Sequence, residues 1–234
     1  VSISGAGRVN GSLKCEELHC SGAAKVQGDV DCAGELHTSG AGKVAGSVRC
    51  GSLTASGAFS AQSVQVEALA SVFGSLRTAR ALTADELRAS GSLEAGSVHC
   101  RALRSSGSCR VNGDVEAETA VLSGAAEIGG LLNAETVEVS ANRAVHIGAI
   151  GGGSIRVIQK DTTTILGIFH TSPGCARIGS IEGDNIELEN VEAEIVRGKY
   201  VRIGHGCRIG TVEYGENLEA EPGTVRQSTQ TGAK

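Results

Sequence analysis

Apolar and polar residues alternate along this chain in short bursts. Leu13-Lys-Cys15 is followed by Leu18-His-Cys20, and Val30-Asp-Cys32 by Leu36-His-Thr38. Alternation with a period of two predicts short strands that bury one face. The bursts are separated by Ser-Gly, Gly-Ser or Gly-Asp pairs, which is turn chemistry. The separators recur on a clock. Ser-Gly falls at Ser4-Gly5, Ser21-Gly22, Ser39-Gly40, Ser56-Gly57, Ser90-Gly91, Ser106-Gly107 and Ser123-Gly124. The missing member is expected at Val72-Phe73, and with it the steps all lie close to one value.

The apolar positions keep the same time. One column reads Leu13, Val30, Val48, Val64, Leu82, Val98, Val115, Leu132. A second reads Leu18, Leu36, Leu53, Leu69, Leu87, Leu103, Ala120, Val137. A third reads Val9, Val26, Val44, Ala61, then Val111 and Ile128. Two places after the first column stand Cys15, Cys32, Cys50, Val66, Ala84, Cys100, Ala117 and Ala134. Fixed-period self-similarity is the signature of a repeat architecture. Three short strands and three bends fit in about 17 residues, after which the chain returns one strand spacing (about 4.8 Å) higher. The expected fold is all-β, a right-handed parallel β-helix. It is a triangular solenoid of about 17 residues per coil, with the hand taken from the general bias of parallel crossovers. A lone coil buries too little to stand, so stability is collective along the stack.

Composition sharpens this picture. The 234 residues include 34 Gly, 2 Pro, 2 Tyr, 3 Phe and neither Trp nor Met, so the core must be built from small aliphatic side chains. A formal net charge of −5 disfavours nucleic acid, whose binders carry a basic face. No apolar run reaches the ~18 residues of a membrane span.

Residues 1–140 read as regular coils. Regularity weakens over 141–180, where an excursion near 158–174 is expected to leave one coil. Coils resume over 181–221, with Ile186, Leu188, Val191, Ala193, Ile195, Val201, Ile203, Cys207, Ile209, Val212 and Leu218 as inward positions. Residues 222–234 are polar and read as a flexible tail. The expectation is one continuous rod of about 13 coils, roughly 60 Å long at that strand spacing.

The reiterated "ISG(A/S)G-x-V-x-G-x-(L/V)" line from Ile3 to Leu132, followed by "IEGDNIELENVEAEIVRGKYVRIGHGCRIGTVEY" from Ile181 to Tyr214, resembles the bactofilins. These are polymer-forming bacterial cytoskeletal proteins, and the second segment looks like their Firmicute-type branch. The resemblance implies a right-handed β-helix that polymerises end to end, without nucleotide, into non-polar filaments. It also implies a scaffold role in the cytoplasm near the membrane. A membrane or membrane-protein partner would be engaged through segments outside this sequence. Val72-Phe73 and Ile158–Gly174 depart from the pattern.

Several residues invite chemistry. The slot of Cys15, Cys32, Cys50 and Cys100 also takes Val66 and Ala84, so it reads as a small buried apolar site holding reduced thiols. Cys20 shares a similar column with Thr38, Ala55 and Ala89. There is no C-x-x-C pair and hence no zinc-ribbon spacing, so no metal or cofactor is assigned. His19 and His37 are expected to stack outward on adjacent coils as a solvated pair. His170 is harder to place, and His205 lies in "IGHGCRIG", which also looks like the hexapeptide repeat of left-handed β-helix acyltransferases. Arg8, Lys25 and Lys43 form a basic stripe that ends at Ser60, too short to track a nucleic-acid backbone. Phe59 and Phe73 stand where other coils hold small residues. They are candidates for packing across a bend or for an exposed lateral contact.

A solenoid has two edges, which need caps unless another copy covers them. "VSISG" opens directly on pattern and "VEYGENLEA" carries it nearly to the tail. The expected polymer interface is therefore Val1, Ile3, Val9 and Leu13 at one end, with Val212, Tyr214 and Leu218 at the other. The leading expectation is a non-enzymatic structural protein whose partner is itself. The alternatives are a left-handed β-helix acyltransferase-type enzyme, which needs polar groups clustered on one face, or an extracellular β-solenoid fibre or adhesin. Eight cysteines without a paired framework favour a reducing, cytoplasmic compartment.

Overall fold

Alternation and turn pairs give strands throughout. The computed structural model describes residues 1–140, 143–158 and 175–231, and within them the chain forms 23 β-strands. Consecutive coils pair in parallel. The fold is an all-β parallel solenoid whose repeat, read from partners such as Leu36 and Leu53, is about 17 residues. The chain divides into two compact units, Val1–Ala117 and Glu118–Lys234.

In the first unit the predicted columns are ladders. Leu13 pairs with Val30, Val30 with Val48, Val48 with Val64, Val64 with Leu82 and Leu82 with Val98. From Val30 onward these side chains are 0–1 % exposed. The step between partners is uneven. It is longest where Leu18 pairs with Leu36, shorter where Leu36 pairs with Leu53, and shorter again where Val48 pairs with Val64. The unevenness is absorbed at the bends. Between Cys32 and Glu35 the strand Val30–Thr38 slips one residue against Ser47–Ala55, as a β-bulge does. Several coils therefore show a four-residue strand, such as Ala41–Val44, and then a nine-residue strand that runs on through a bend, such as Ser47–Ala55.

Two positions differ from expectation. The slot given to Leu69 belongs to Ala70, which pairs with both Leu53 and Leu87 and is fully buried, whereas Leu69 sits half-buried opposite Glu86. Phe73 does not replace the glycine of the Ser-Gly pair. Ser75 pairs with Ala58, which sets Gly74 over Gly57 and Phe73 over Ser56. The Phe73 and Gly74 amides both donate to the Ala55 carbonyl, as those of Ser56 and Gly57 donate to Thr38.

The reason is steric. A Cβ on Gly22, Gly40, Gly57, Gly74, Gly91 or Gly107 would overlap the carbonyl oxygen of the glycine one coil earlier, whereas the residue before each of them is exposed. The serine position can therefore grow an aromatic ring, and the glycine position cannot grow a methyl.

In the second unit Ile147 pairs with Ile178, Ile181 with Val196 and Val196 with Val212. The repeat shortens here, most clearly between Ile181 and Val196. Val196 is fully buried in the place expected for Ile195, because Ile195 pairs with Ser180 and Thr211 at a bend. The excursion expected near 158–174 lies outside the described residues, apart from Ile158 at the end of strand Val145–Ile158. The expected tail differs too. Strand Val225–Gln230 pairs in parallel with Arg208–Ala220, setting Val225 over Ile209 and Ser228 over Val212. Its backbone groups extend the ladder from Ile209 to Tyr214 although its exposed side chains are polar.

Two substitutions test the stacking. Gly57→Ala should cost more than about 2 kcal/mol, as a buried clash does, while Ser56→Ala stays within about 0.5 kcal/mol, both read from urea unfolding followed by circular dichroism. Ser105 is buried with a hydroxyl that has no partner among the described residues, in a column that elsewhere holds Ala89. Ser105→Ala should raise stability by about 1 kcal/mol in the same assay.

Candidate functional site

The feature every coil shares is the surface it offers the next coil. Its inner part is the ladder just described, and its outer part is a set of stacked polar columns. Opposite charges on successive coils meet at several places. Arg77 Nε lies 2.8 Å from Glu94, Arg49 3.1 Å from Glu67, Arg197 2.7 Å from Glu213 and Lys199 2.9 Å from Asp184. These pairs are largely exposed and add little stability. A denser knot joins two coils at Arg101, which donates to Asp85 at 2.9 and 3.1 Å and to Glu86 at 3.1 Å. The hydrogen bond from Arg101 holds the Asp85 carboxyl below its usual range, and those from Arg88 and then Arg101 do the same for Glu86. Depressed carboxyls give a contribution that is present above the ordinary carboxylate range and lost as pH falls through the folded values. Hydropathy patterning misses this knot, although an opposite charge one repeat away is its available signal.

The predicted edge residues fall into two groups. Val1 is exposed, and Ile3, Val9 and Leu13 are half-buried on strands whose partners, Cys20, Val26 and Val30, are buried. Tyr214 and Leu218 are also half-buried. Val212 is not an edge residue. It is fully buried under strand Val225–Gln230, where the sequence suggests only a tail.

The two phenylalanines part company. Phe59 is 5 % exposed and turns inward, so it is no lateral contact. Its column runs Gly7, Ala24, Gly42, Phe59, Leu76, Leu93, Cys109, and the ring fills the space left by Gly42, whose Cβ would stand 2.6 Å from Phe59 Cδ2. Phe73 is 62 % exposed and is available for a lateral contact.

Cys15, Cys32 and Cys50 stack on three successive coils, and Cys100 pairs with Ala84 in the same slot. Cys32 and Cys50 are buried, Cys15 and Cys100 half-buried, and all are free thiols. Burial, with the neighbouring Cys15 thiol, raises the Cys32 thiol. Burial pushes Cys50, Cys100 and Cys109 up to about 12. Cys109, buried above Leu93, does not stand out in the sequence because its column mixes Gly, Phe and Leu. Cys175 is half-buried and accepts from Arg208 at 3.7 Å.

His19 and His37 stack as expected, with ring centroids 6.1 Å apart, and each faces a carboxylate two places earlier in the chain, Glu17 at 3.5 Å and Glu35 at 4.0 Å. Among the described residues no group of three or more His, Cys, Asp or Glu is arranged to hold a metal ion. His205 is exposed, and its Nε2 stands 3.5 Å from Asn190 Nδ2. Asn190 and Gly206 both take positive φ, 54° and 70°, at the bends that precede Val191 and Cys207. His170 lies outside the described residues. Arg8, Lys25 and Lys43 stack in register and reach Ser60. No helix among the described residues is long and apolar enough to cross a membrane.

The thiol environment predicts slow chemistry. At pH 8 a thiol titrating near 12 is about one part in ten thousand thiolate, the reactive form. Iodoacetamide at that pH should leave Cys50 and Cys109 unmodified in the folded chain and alkylate both in denaturant, read by peptide mass mapping.

No protein-family model matches the chain, and no solved structure matches it. Among curated proteins it is similar to YhbF of Bacillus subtilis (strain 168), 37 % identical over 94 residues, which are 40 % of this chain and 38 % of that protein. It is also similar to YhbE of the same organism, 37 % identical over 108 residues, 44 % of each chain. Both are described as uncharacterized proteins. The chain thus matches less than half the length of either relative. What the fold establishes is a parallel β-solenoid, an architecture compatible with filament-forming and scaffold proteins and with the bactofilin superfamily in general.

Proposed function

We propose that this chain is a bactofilin-type structural protein whose activity is self-assembly. Solenoids stack end to end into filaments without nucleotide, and the filaments serve as a scaffold in the bacterial cytoplasm. The partner is a second copy of the same chain, and no catalytic step or cofactor is involved.

One observation carries this reading. Each coil meets the next through the same columns, Val on Val, Cys on Cys and Gly on Gly, so coil faces are complementary to one another. A surface that matches its own neighbour within the chain also matches its counterpart in another chain. Parallel strands end in rows of backbone donors and acceptors that pair readily with a further strand. Half-exposed apolar side chains at Ile3, Val9 and Leu13 add the apolar part of such a contact. The Ser-Gly line that carries the family resemblance is the same line that builds the glycine ladder.

The test is electron microscopy and fibre diffraction of the purified protein in nucleotide-free buffer. Filaments whose roughly 4.8 Å repeat continues across subunits are expected. Leu13→Lys should shorten or abolish them while circular dichroism keeps its β signature, because Leu13 is half-exposed and its loss leaves the later coils intact. A parent protein that stays a discrete particle at every concentration overturns the proposal.

A further inference from the structure

Cys15 and Cys32 occupy one inward column on neighbouring strands, Leu13–Cys15 and Val30–Thr38, and pair in register. Parallel strands hold such partners about 4.8 Å apart, inside the window of roughly 4.4–6.8 Å between Cα atoms that a disulfide requires. The Cys32 thiol donates to the carbonyl of Glu16, the residue next to Cys15, at 3.3 Å. The two differ in access, since Cys15 is half-exposed and Cys32 is 1 % exposed.

We propose that Cys15 and Cys32 form a thiol–disulfide exchange site for low-molecular-weight disulfides, with Cys15 the entry thiol and Cys32 the resolving thiol. The Cys15 thiolate attacks one sulfur of the small disulfide. A mixed disulfide forms on Cys15 and one small thiolate leaves. Cys32, deprotonated, then attacks Cys15 Sγ and expels the second small thiolate. Two protein thiols are oxidised to one disulfide, the reagent is reduced to two thiols, and the two protons end on the leaving groups. The bond ties one coil to the next.

The neighbouring thiols do not compete. Cys50 also pairs with Cys32, but it stands one coil further from Cys15, beyond direct reach of the entry thiol. Cys20 pairs with Ile3 and Thr38, so its own column offers no second thiol. Burial raises Cys32, which makes resolution the slow step near neutral pH. Its rate rises about tenfold per pH unit while Cys32 remains mostly protonated.

The test treats the full folded chain, kept dilute enough that no second copy covers the strand Leu13–Cys15, with oxidised glutathione at several pH values, quenches with acid and maps tryptic peptides. The glutathione adduct should appear first on Cys15. A crosslink between residues 15–25 and 26–43 should follow, with fragmentation placing it at Cys15 and Cys32. Cys32→Ala should stop at the Cys15 adduct, Cys15→Ala should leave Cys32 unmodified, and Cys50→Ala should react like the parent. Alanine suits this slot, since Ala84 occupies it naturally, and circular dichroism checks that each variant is folded. A crosslink through Cys20 or Cys50, direct modification of Cys32 in Cys15→Ala, or no crosslink in a folded parent overturns the proposal.

Discussion

At the Ser-Gly bend two coils come closer than side chains allow. The glycine of one coil rests on the glycine carbonyl of the coil before it, and the amides on either side donate to that earlier coil. The contact recurs from Gly22 to Gly107. It holds the bends in line, and with them the strands on either side. The apolar ladders follow from it, because a side chain can sit directly above its predecessor only if each coil returns to the same place. Ion pairs such as Arg77–Glu94 and Arg49–Glu67 then decorate a register already set by backbone.

Most of the fold is readable because the repeat states it many times. Val30, Val48 and Val64 fall together in sequence and in space. Errors arise where a single copy departs from the rest. At Leu69-Ala70 hydropathy favours the larger side chain, although the backbone count assigns the slot to Ala70. At Phe73 simple alignment sets the aromatic on the glycine, although steric exclusion permits it only in the serine's place. At Ile195-Val196 the local repeat shortens, and period alone does not say where the missing residues come out.

The candidate surface is less readable for a different reason. Val225–Gln230 carries almost no apolar pattern, since its side chains include Gln227, Ser228 and Thr229, all exposed, yet its backbone extends the ladder over Ile209 to Tyr214. Hydropathy reports what side chains bury and is silent on main-chain pairing. That is why pattern alone puts Val212 at an edge it does not occupy. Phe59 and Phe73 show the same limit, because identical residue types take opposite faces according to whether the coil below supplies a vacancy like that at Gly42.

The near-constant separation between ladder partners also bears on how the chain folds. In the first unit a strand waits for only one further turn of chain before its neighbour exists, as between Val48 and Val64 or between Leu18 and Leu36. Loop-closure entropy grows slowly with length and is the same modest amount for each coil. Parallel sheets are ordinarily slow to form because their partners are remote in sequence. Here the remoteness is capped, so a growing chain on the ribosome can add one finished layer at a time to the layers already made.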